Sequence, residues 1–233
     1  MLPSALAHLK VLCRLNARYL EAVWQRRRTS RLAGTSQLPE PEAVLASPHV
    51  FVLSTGRCGT ALLTRILARA DSLQVEHSPK PELEYVSSLV HRDEPSLEAL
   101  KLAVLASRFD TQFLDCYRRG KRYVETNNRI SLFAPALAEL LPRSRFIHLV
   151  RDPAAFVRSG MCRGYYLDGV VQHQRLDGAH SAEWRAFSRL EKIVWEWNEI
   201  NGRVEQFKAG LEPGRMLTVK SEELFEDPGV TSG

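Results

Sequence analysis

Short apolar runs of strand length alternate along the chain with longer stretches of helical periodicity. His49–Leu53 (HVFVL) is the first run, and after the turn Ser54-Thr55-Gly56-Arg57-Cys58-Gly59-Thr60 comes an amphipathic helix, Ala61–Leu67 (ALLTRIL). Arg145–Val150 (RFIHLV) is the second run, and it stops at Arg151-Asp152-Pro153, which puts Asp152 at an N-cap and Pro153 at the first helical position. Met216–Val219 is a third, strand-like run. Residues 82–91 and 96–119 read as helices, the latter with Leu97, Leu100, Val104 and Leu105 on its apolar positions. A long helix over 182–208 carries Trp184, Phe187, Leu190, Val194, Trp197 and Phe207, whose near-helical spacing marks them as core rather than as a ligand box. The polar, glycine-containing stretch from Arg163 to about Ala179 reads either as a lid or as a plain connection. The alternation predicts a three-layer α/β domain, with a parallel sheet of about four or five strands flanked by helices. There is no internal repeat, and no window approaches 18 consecutive apolar residues, so no membrane-spanning helix is expected.

The first 33 residues have a different pattern. Leu2, Leu6, Leu9 and Cys13 recur at helical spacing beside a stripe of Lys10, Arg14 and Arg18, which predicts a basic amphipathic helix. Lys10 and Arg14 interrupt any apolar core that a signal peptide would need. Residues 34–48 (GTSQLPEPEAVLASP) read as a linker, leaving 49–233 as the domain. Charge sharpens this division. The 233 residues carry a net +5, yet residues 1–33 hold seven basic side chains against Glu21 alone, so the remainder is close to neutral. A nucleic-acid-binding body, which needs a broad basic surface, is thereby disfavoured. Two readings of the arm stand: packing of its apolar stripe on the body or on a second subunit, or peripheral contact with an anionic membrane through Trp24 and Arg26–Arg28. The four cysteines, Cys13, Cys58, Cys116 and Cys162, form no CxxC pair. They read as reduced thiols of a cytoplasmic protein, without a zinc site.

The two strand–turn–helix junctions carry the candidate chemistry. A glycine-containing turn leading into a helix N-terminus presents main-chain N–H groups to an anion. Arg57 can fork onto phosphate oxygens there, and the Thr60 hydroxyl can donate to them. This is not the triphosphate-binding Walker pattern, because Gly56 and Gly59 are two residues apart and no Lys precedes Thr60. Nor does an obvious apolar strand end in Asp to hold magnesium. At the other junction Arg151 falls at the C-terminal end of a strand, where parallel α/β sheets bind ligands, and Ser159 lies two turns into the following helix.

Together the two segments resemble the sulfotransferase superfamily, on an STGRxGT loop, an IHLVRDP segment and a Ser eight residues after Arg151. Tyr123–Asn127 (YVETN), Glu191–Asn198 (EKIVWEWN) and Lys220–Pro228 (KSEELFEDP) extend the likeness over about 49–228. The resemblance implies a P-loop NTPase-like fold and a sulfuryl donor, 3'-phosphoadenosine 5'-phosphosulfate (PAPS), used without a metal. It implies that Gly56, Arg57, Cys58, Gly59 and Thr60 hold the 5'-phosphosulfate and that Arg151 and Ser159 hold the 3'-phosphate. The acceptor would be a hydroxyl on a sugar, lipid or small molecule. Arg57 would also stabilise charge during transfer. For the base that takes the acceptor proton, His77 ranks first, Glu76 next and Glu125 third. Ser78 stands where related proteins carry a Glu after the His, and the Lys-Thr-His of cytosolic members is replaced around Glu125-Thr126-Asn127. Glu125 would then either orient substrate or pair with an arginine structurally. Relatives also continue for at least one more helix after the segment ending at Pro228, so this chain reads as compact or truncated. Two alternatives accompany the transferase reading: a degenerate nucleotide-binding module and a P-loop small-molecule kinase.

Overall fold

Five strands form one parallel sheet: β1 (His49–Leu53), β2 (Leu73–Glu76), β3 (Arg122–Glu125), β4 (Arg145–Val150) and β5 (Met216–Lys220), ordered β2-β3-β1-β4-β5. Val50 of β1 aligns with Val124 of β3, and Phe51 with Phe146 of β4. The computed structural model describes residues 38–83, 86–87, 90, 95–167, 176 and 181–226. The chain divides into two units, Met1–Glu40 and Pro41–Gly233, and the sheet belongs to the second. The amphipathic arm, half of the 82–91 segment, most of the loop 163–179 and the residues after 226 lie outside the described residues.

The strands are apolar on consecutive positions because both faces of the sheet are covered. Along β1, Phe51 and Leu53 enter a cluster with Phe113, Tyr123, Phe133 and Phe146, while Val52 points into a second one with Leu63, Leu149 and Leu224. The crossovers are helical. A helix over Pro41–Leu45 (α1) precedes β1; α2 (Thr60–Leu67) joins β1 to β2. Then α3 (Leu97–Arg108) runs through a π-helical turn, Phe109–Phe113, into α4 (Leu114–Arg118). A 3-10 turn (Asn128–Phe133) and α5 (Ala134–Leu140) lead to β4, and α6 (Pro153–Cys162), α7 (Ala182–Ala186) and α8 (Arg189–Ala209) lead to β5 and α9 (Ser221–Glu226). The chain leaves β1 towards β2 on one side and returns as β4 on the other. The C-terminal ends of β1 and β4 therefore flank the point where strand order reverses, the crevice in which open parallel sheets bind ligands.

Three local readings change. Composition placed Pro41–Leu45 in a linker, but these residues form α1, and Val44 is fully buried in the main core, so the packed unit begins at Pro41. The expected helix over 182–208 is two helices: the chain breaks at Phe187, and Ser188 restarts it with a capping box to Glu191. The buried face of α8 is Ile193, Ile200 and Val204, whereas Leu190 and Val194 are 49% and 40% exposed. Phe207 meets Phe146 edge-on at 5.0 Å, and Trp197 is half-buried beside the candidate site. Among the described residues no helix is long and apolar enough to cross a membrane.

Candidate functional site

The loop after β1 is folded so that the carbonyl oxygens of Gly56, Arg57, Cys58 and Gly59 are occupied, while the amides from Arg57 onward are left open. The Ser54 N–H donates to Ser131 Oγ at 2.8 Å, and the Ser131 hydroxyl donates back to Ser54 O at 3.0 Å, which fixes the end of β1 to the 3-10 turn. Gly56, Arg57 and Gly59 then adopt φ of 76°, 59° and 85°. Both glycines are favoured by this left-handed conformation, and a side chain would also crowd Asn128 at 3.2 Å from Gly56 and the Phe225 ring at 3.1 Å from Gly59. Gly56 O takes hydrogen bonds from the Thr55 hydroxyl and the Cys58 thiol, both at 3.1 Å. Arg57 O takes Arg151 Nη1 at 2.7 Å, and Cys58 O takes the Ser221 hydroxyl at 2.7 Å. Gly59 O takes the N–H groups of Leu62 and Leu63.

By contrast, among the described residues no acceptor faces the N–H groups of Arg57, Cys58, Gly59, Thr60 or Ala61. Helix α2 has no side-chain cap at Gly59 and no acid in its first turn. Donors without internal partners, at the positive end of a helix dipole, make an anion cradle.

The second junction is bonded directly to this loop. Besides the Arg151–Arg57 contact, Arg57 Nε donates to Ser159 Oγ at 3.4 Å. Asp152 caps α6 by accepting from the Ala155 N–H at 2.8 Å, and Trp197 Nε1 donates to Arg151 O at 3.0 Å. From the far side α9 braces both parts: Ser221 on Cys58 O, Phe225 against Gly59, and Glu222 Oε1 accepting the Asp152 N–H at 3.1 Å. Gly56, Arg57, Cys58, Gly59, Thr60, Arg151 and Ser159 are thus brought to one place, with Arg158 exposed one residue before Ser159. Cys58 is fully buried, and burial pushes its thiol up, so it serves the loop by packing and not as a nucleophile. Among the described residues there is no cluster of side chains suited to a metal ion.

The three candidate bases lie at the ends of β2 and β3, in unlike surroundings. Glu125 is fully buried and closed: Arg108 Nε and Nη2 meet its two oxygens at 2.8 and 2.9 Å, the Tyr123 hydroxyl donates at 2.9 Å and Asn127 Nδ2 at 3.0 Å. It has the structural arrangement of the two the sequence left open. Glu76 aligns with Glu125 across the strand pair; burial raises its carboxyl, and Gln74 and Gln112 each donate to it at 3.3 Å. His77 is exposed, with Nδ1 3.0 Å from Thr126 Oγ1.

Beyond His77 the chain lines a pocket of about 510 Å³, with Pro81, Leu83, Val86, Ala103 and Ala106 on its apolar wall. Its position is fixed by Arg108 Nη1 donating to Pro81 O at 2.8 Å and Arg129 Nη1 to Glu82 Oε2 at 2.7 Å.

Sequence reasoning did not single out Thr64, Thr126, Arg108, Ser221 or Glu222 for any role. Ser221 and Glu222 stood inside the quoted KSEELFEDP segment, and Thr126 inside YVETN, which was the available signal.

A parallel sheet ordered 2-3-1-4-5, with a glycine-containing turn after its central strand and arginines at two strand ends, defines a P-loop-like α/β protein. A family model described as "Sulfotransferase family" matches residues 48–232, and the chain belongs to that family. In sequence it is similar to the omega-hydroxy-beta-dihydromenaquinone-9 sulfotransferases Stf3 of Mycobacterium bovis and Mycobacterium tuberculosis, each 26% identical over 113 residues. The match spans 48% of this chain and 27% of the relative's length. In fold it is similar to the sulfotransferase domain from the curacin biosynthetic pathway (TM-score 0.51, 18% identity, 78% of this chain and 70% of that one). It is also similar to a sulfotransferase from Alicyclobacillus acidocaldarius (TM-score 0.52, 16% identity, 80% and 78%).

Proposed function

We propose that the protein transfers a sulfuryl group from PAPS to the hydroxyl of an acceptor. The observation that carries this reading is the cradle itself: the five amides from Arg57 to Ala61, which have no acceptor among the described residues, lie beside a second junction that is tied to the loop through Arg57, Arg151 and Ser159. Those residues fit a nucleotide with phosphate at both its 5' and 3' positions. The loop amides, Arg57 and Thr60 would hold the 5'-phosphosulfate, and Arg151 with Ser159 the 3'-phosphate. When bound, the donor supplies a sulfuryl group whose bond to the 5'-phosphate oxygen breaks, with the electron pair leaving on that phosphate, as the acceptor oxygen bonds to sulfur.

The chain's own residues have three tasks in such a transfer. The loop amides and Arg57 stabilise the charge that grows on the departing phosphate, and they do so without reorganising. The two junctions, bonded to each other, fix where the donor sits. His77, exposed at the end of β2, takes the acceptor's hydroxyl proton, a role typically worth ~10²–10⁴-fold in rate. Glu76, with its carboxyl raised by burial, lies next to it, and Glu125 serves to anchor Arg108. The apolar wall at Pro81, Leu83 and Val86 suits an acceptor whose hydroxyl is carried on a hydrophobic body. The Stf3 relatives are named for an omega-hydroxy menaquinone, in keeping with that class.

Isothermal titration with 3'-phosphoadenosine 5'-phosphate tests the reading. The protein should bind it, and Arg151→Ala should weaken binding by about 10- to 150-fold, the equivalent of one charge-assisted contact of about 1.5–3 kcal/mol. Absence of binding, or affinity indifferent to Arg151→Ala, overturns it.

A further inference from the structure

Three hydroxyl-mediated contacts connect the imidazole at the end of β2 to the helix that starts at the anion cradle. Thr64 Oγ1 lies 2.7 Å from Thr60 O, Thr126 Oγ1 lies 2.6 Å from Thr64 Oγ1, and His77 Nδ1 lies 3.0 Å from Thr126 Oγ1. The direction of this chain of bonds is dictated by its closed end. Thr60 O is a carbonyl oxygen and can only accept, so the Thr64 hydroxyl, which owns a single hydrogen, donates to it. Thr64 therefore accepts at its contact with Thr126, and the single Thr126 hydrogen is used there. Thr126 then has no hydrogen left for His77 and must accept from it. The proton of the neutral ring consequently sits on Nδ1, and Nε2 carries a bare lone pair.

A competing acceptor for the Thr126 hydroxyl, Glu76 O, is 3.4 Å away and already takes the Thr126 N–H at 2.9 Å. Using it would still leave Thr126 without a hydrogen for the ring. A polarity that sends a hydroxyl hydrogen to His77 Nδ1 forfeits either the Thr64–Thr60 bond or the hydrogen of the 2.6 Å Thr64–Thr126 contact, leaving two hydroxyl oxygens face to face. His77 itself is exposed, whereas Thr126 is fully buried and Thr64 half-buried, so the relay is shielded and its imidazole end is open.

We propose that Thr64 and Thr126 are positioning residues that lock His77 in its Nδ1-protonated tautomer, presenting Nε2 as the proton acceptor for the incoming hydroxyl and tying the base to the donor-binding helix. The role of Nε2 rests on the sulfuryl-transfer reading above; the tautomer does not. A histidine whose tautomer is fixed by a partner on its other nitrogen is a base held ready in one orientation. The relay also gives a physical link between the two halves of the reaction, because a displacement of α2 is felt at the imidazole through three hydrogen bonds.

The test is a long-range ¹H–¹⁵N spectrum of the full chain with ¹⁵N-labelled histidine, at a pH where the ring is neutral, with His77 assigned by its disappearance in His77→Gln. The wild type should show a protonated Nδ1 and an unprotonated Nε2. Thr126→Val should give a mixture of tautomers and Thr126→Ser should restore the wild-type pattern. Thr64→Val, which removes a residue that does not touch His77, should also give a mixture, because it frees the Thr126 hydrogen for the ring. In all of these variants the affinity for 3'-phosphoadenosine 5'-phosphate should stay within about twofold of wild type. A protonated Nε2 in the wild type, or a pattern unmoved by Thr64→Val, overturns the relay, as does a Thr126→Val protein that has lost nucleotide affinity. Failure of the wild type to bind the nucleotide overturns the sulfuryl-transfer reading instead, and leaves the tautomer assignment where the spectrum puts it.

Discussion

Replacing Arg108 by methionine probes how the wall beside the candidate base is held. Both side chains of the Arg108–Glu125 pair are 0% exposed, and the guanidinium meets the carboxylate through two bonds of 2.8 and 2.9 Å. The substitution keeps an aliphatic stem of similar reach, so packing is largely retained and the change is one of charge. It strands a buried carboxylate whose remaining donors are the Tyr123 hydroxyl and Asn127 Nδ2. Removing one partner of a buried pair costs about 3–5 kcal/mol, much more than the net stabilisation that the intact pair contributes. In urea unfolding followed by circular dichroism, Arg108→Met should lose that much. By the usual scaling for a chain of this size, about 2–4 °C per kcal/mol, Tm should fall by about 6–20 °C. The double variant Arg108→Met/Glu125→Gln removes the stranded charge and keeps a carbonyl oxygen for Tyr123. It should recover about 1–3 kcal/mol relative to the single variant. A loss below about 1 kcal/mol for Arg108→Met, or a double variant no more stable than the single one, would refute the reasoning: the pair would then not be what joins α3 to the end of β3 and, through Pro81 O, to the pocket.

Two further expectations concern buried titrating groups. His49, at the start of β1 and edge-on to Phe113 at 4.6 Å, has its pKa lowered from 6.5 to about 4 by burial, so it is neutral in the fold and takes a proton on unfolding. Its contribution is complete above about pH 6.5 and is lost as pH falls towards 4, by about 3 kcal/mol in all; His49→Phe should flatten that part of the stability profile, and an unchanged slope would count against it. Alkylation of the native protein at pH 8, mapped by peptide mass spectrometry, should modify exposed Cys162 well before Cys58 and Cys116, since burial raises the Cys58 thiol and pushes Cys116 up to about 12. Rapid loss of the Cys58 thiol in folded protein would show that the loop opens.

The frame of the fold was legible because parallel strands covered on both faces leave an uninterrupted apolar signature. HVFVL and RFIHLV lie side by side as β1 and β4 for that reason, and the Asp-Pro helix start after the second was read correctly from capping chemistry alone. β2 gave no such signal: Leu73–Glu76 is half-buried throughout and alternates apolar with polar residues at a sheet edge. The break at Ser188 is written in the sequence as Ser-x-x-Glu, but the hydrophobic period runs through it and masks it. On α8 the aromatic Phe207 and Trp197 pack against the core as their spacing predicts, whereas Leu190 and Val194 are exposed and the buried face is completed by Ile193, Ile200 and Val204.

The site divides along the same physical line. Arg57, Arg151 and Ser159 could be found because each stands at a fixed offset from a strand end, and the position of a strand end is a local property of the chain; the sheet then brings residues 102 apart into contact without further instruction. Arg108 and Glu125, or Thr64, Thr126 and His77, obey no local rule. Thr64 is an ordinary helix residue by spacing and Thr126 an ordinary strand end, and each acquires its role from a partner 62 residues away on a neighbouring element. The proposed anion site is therefore written in short motifs, because main-chain amides make up most of it and any sequence that bends the loop in this way will supply them. The orientation proposed for His77 is written in hydroxyl contacts across neighbouring elements, and so it becomes readable once α2, β2 and β3 are placed together. The same logic says where substitutions should be tolerated. The cradle depends on the backbone geometry of Gly56 and Gly59 and, of the side chains between them, on Arg57 more than on the buried Cys58, whereas the relay depends on each hydroxyl having its one hydrogen in the right place, so that even an isosteric Thr→Val change breaks it.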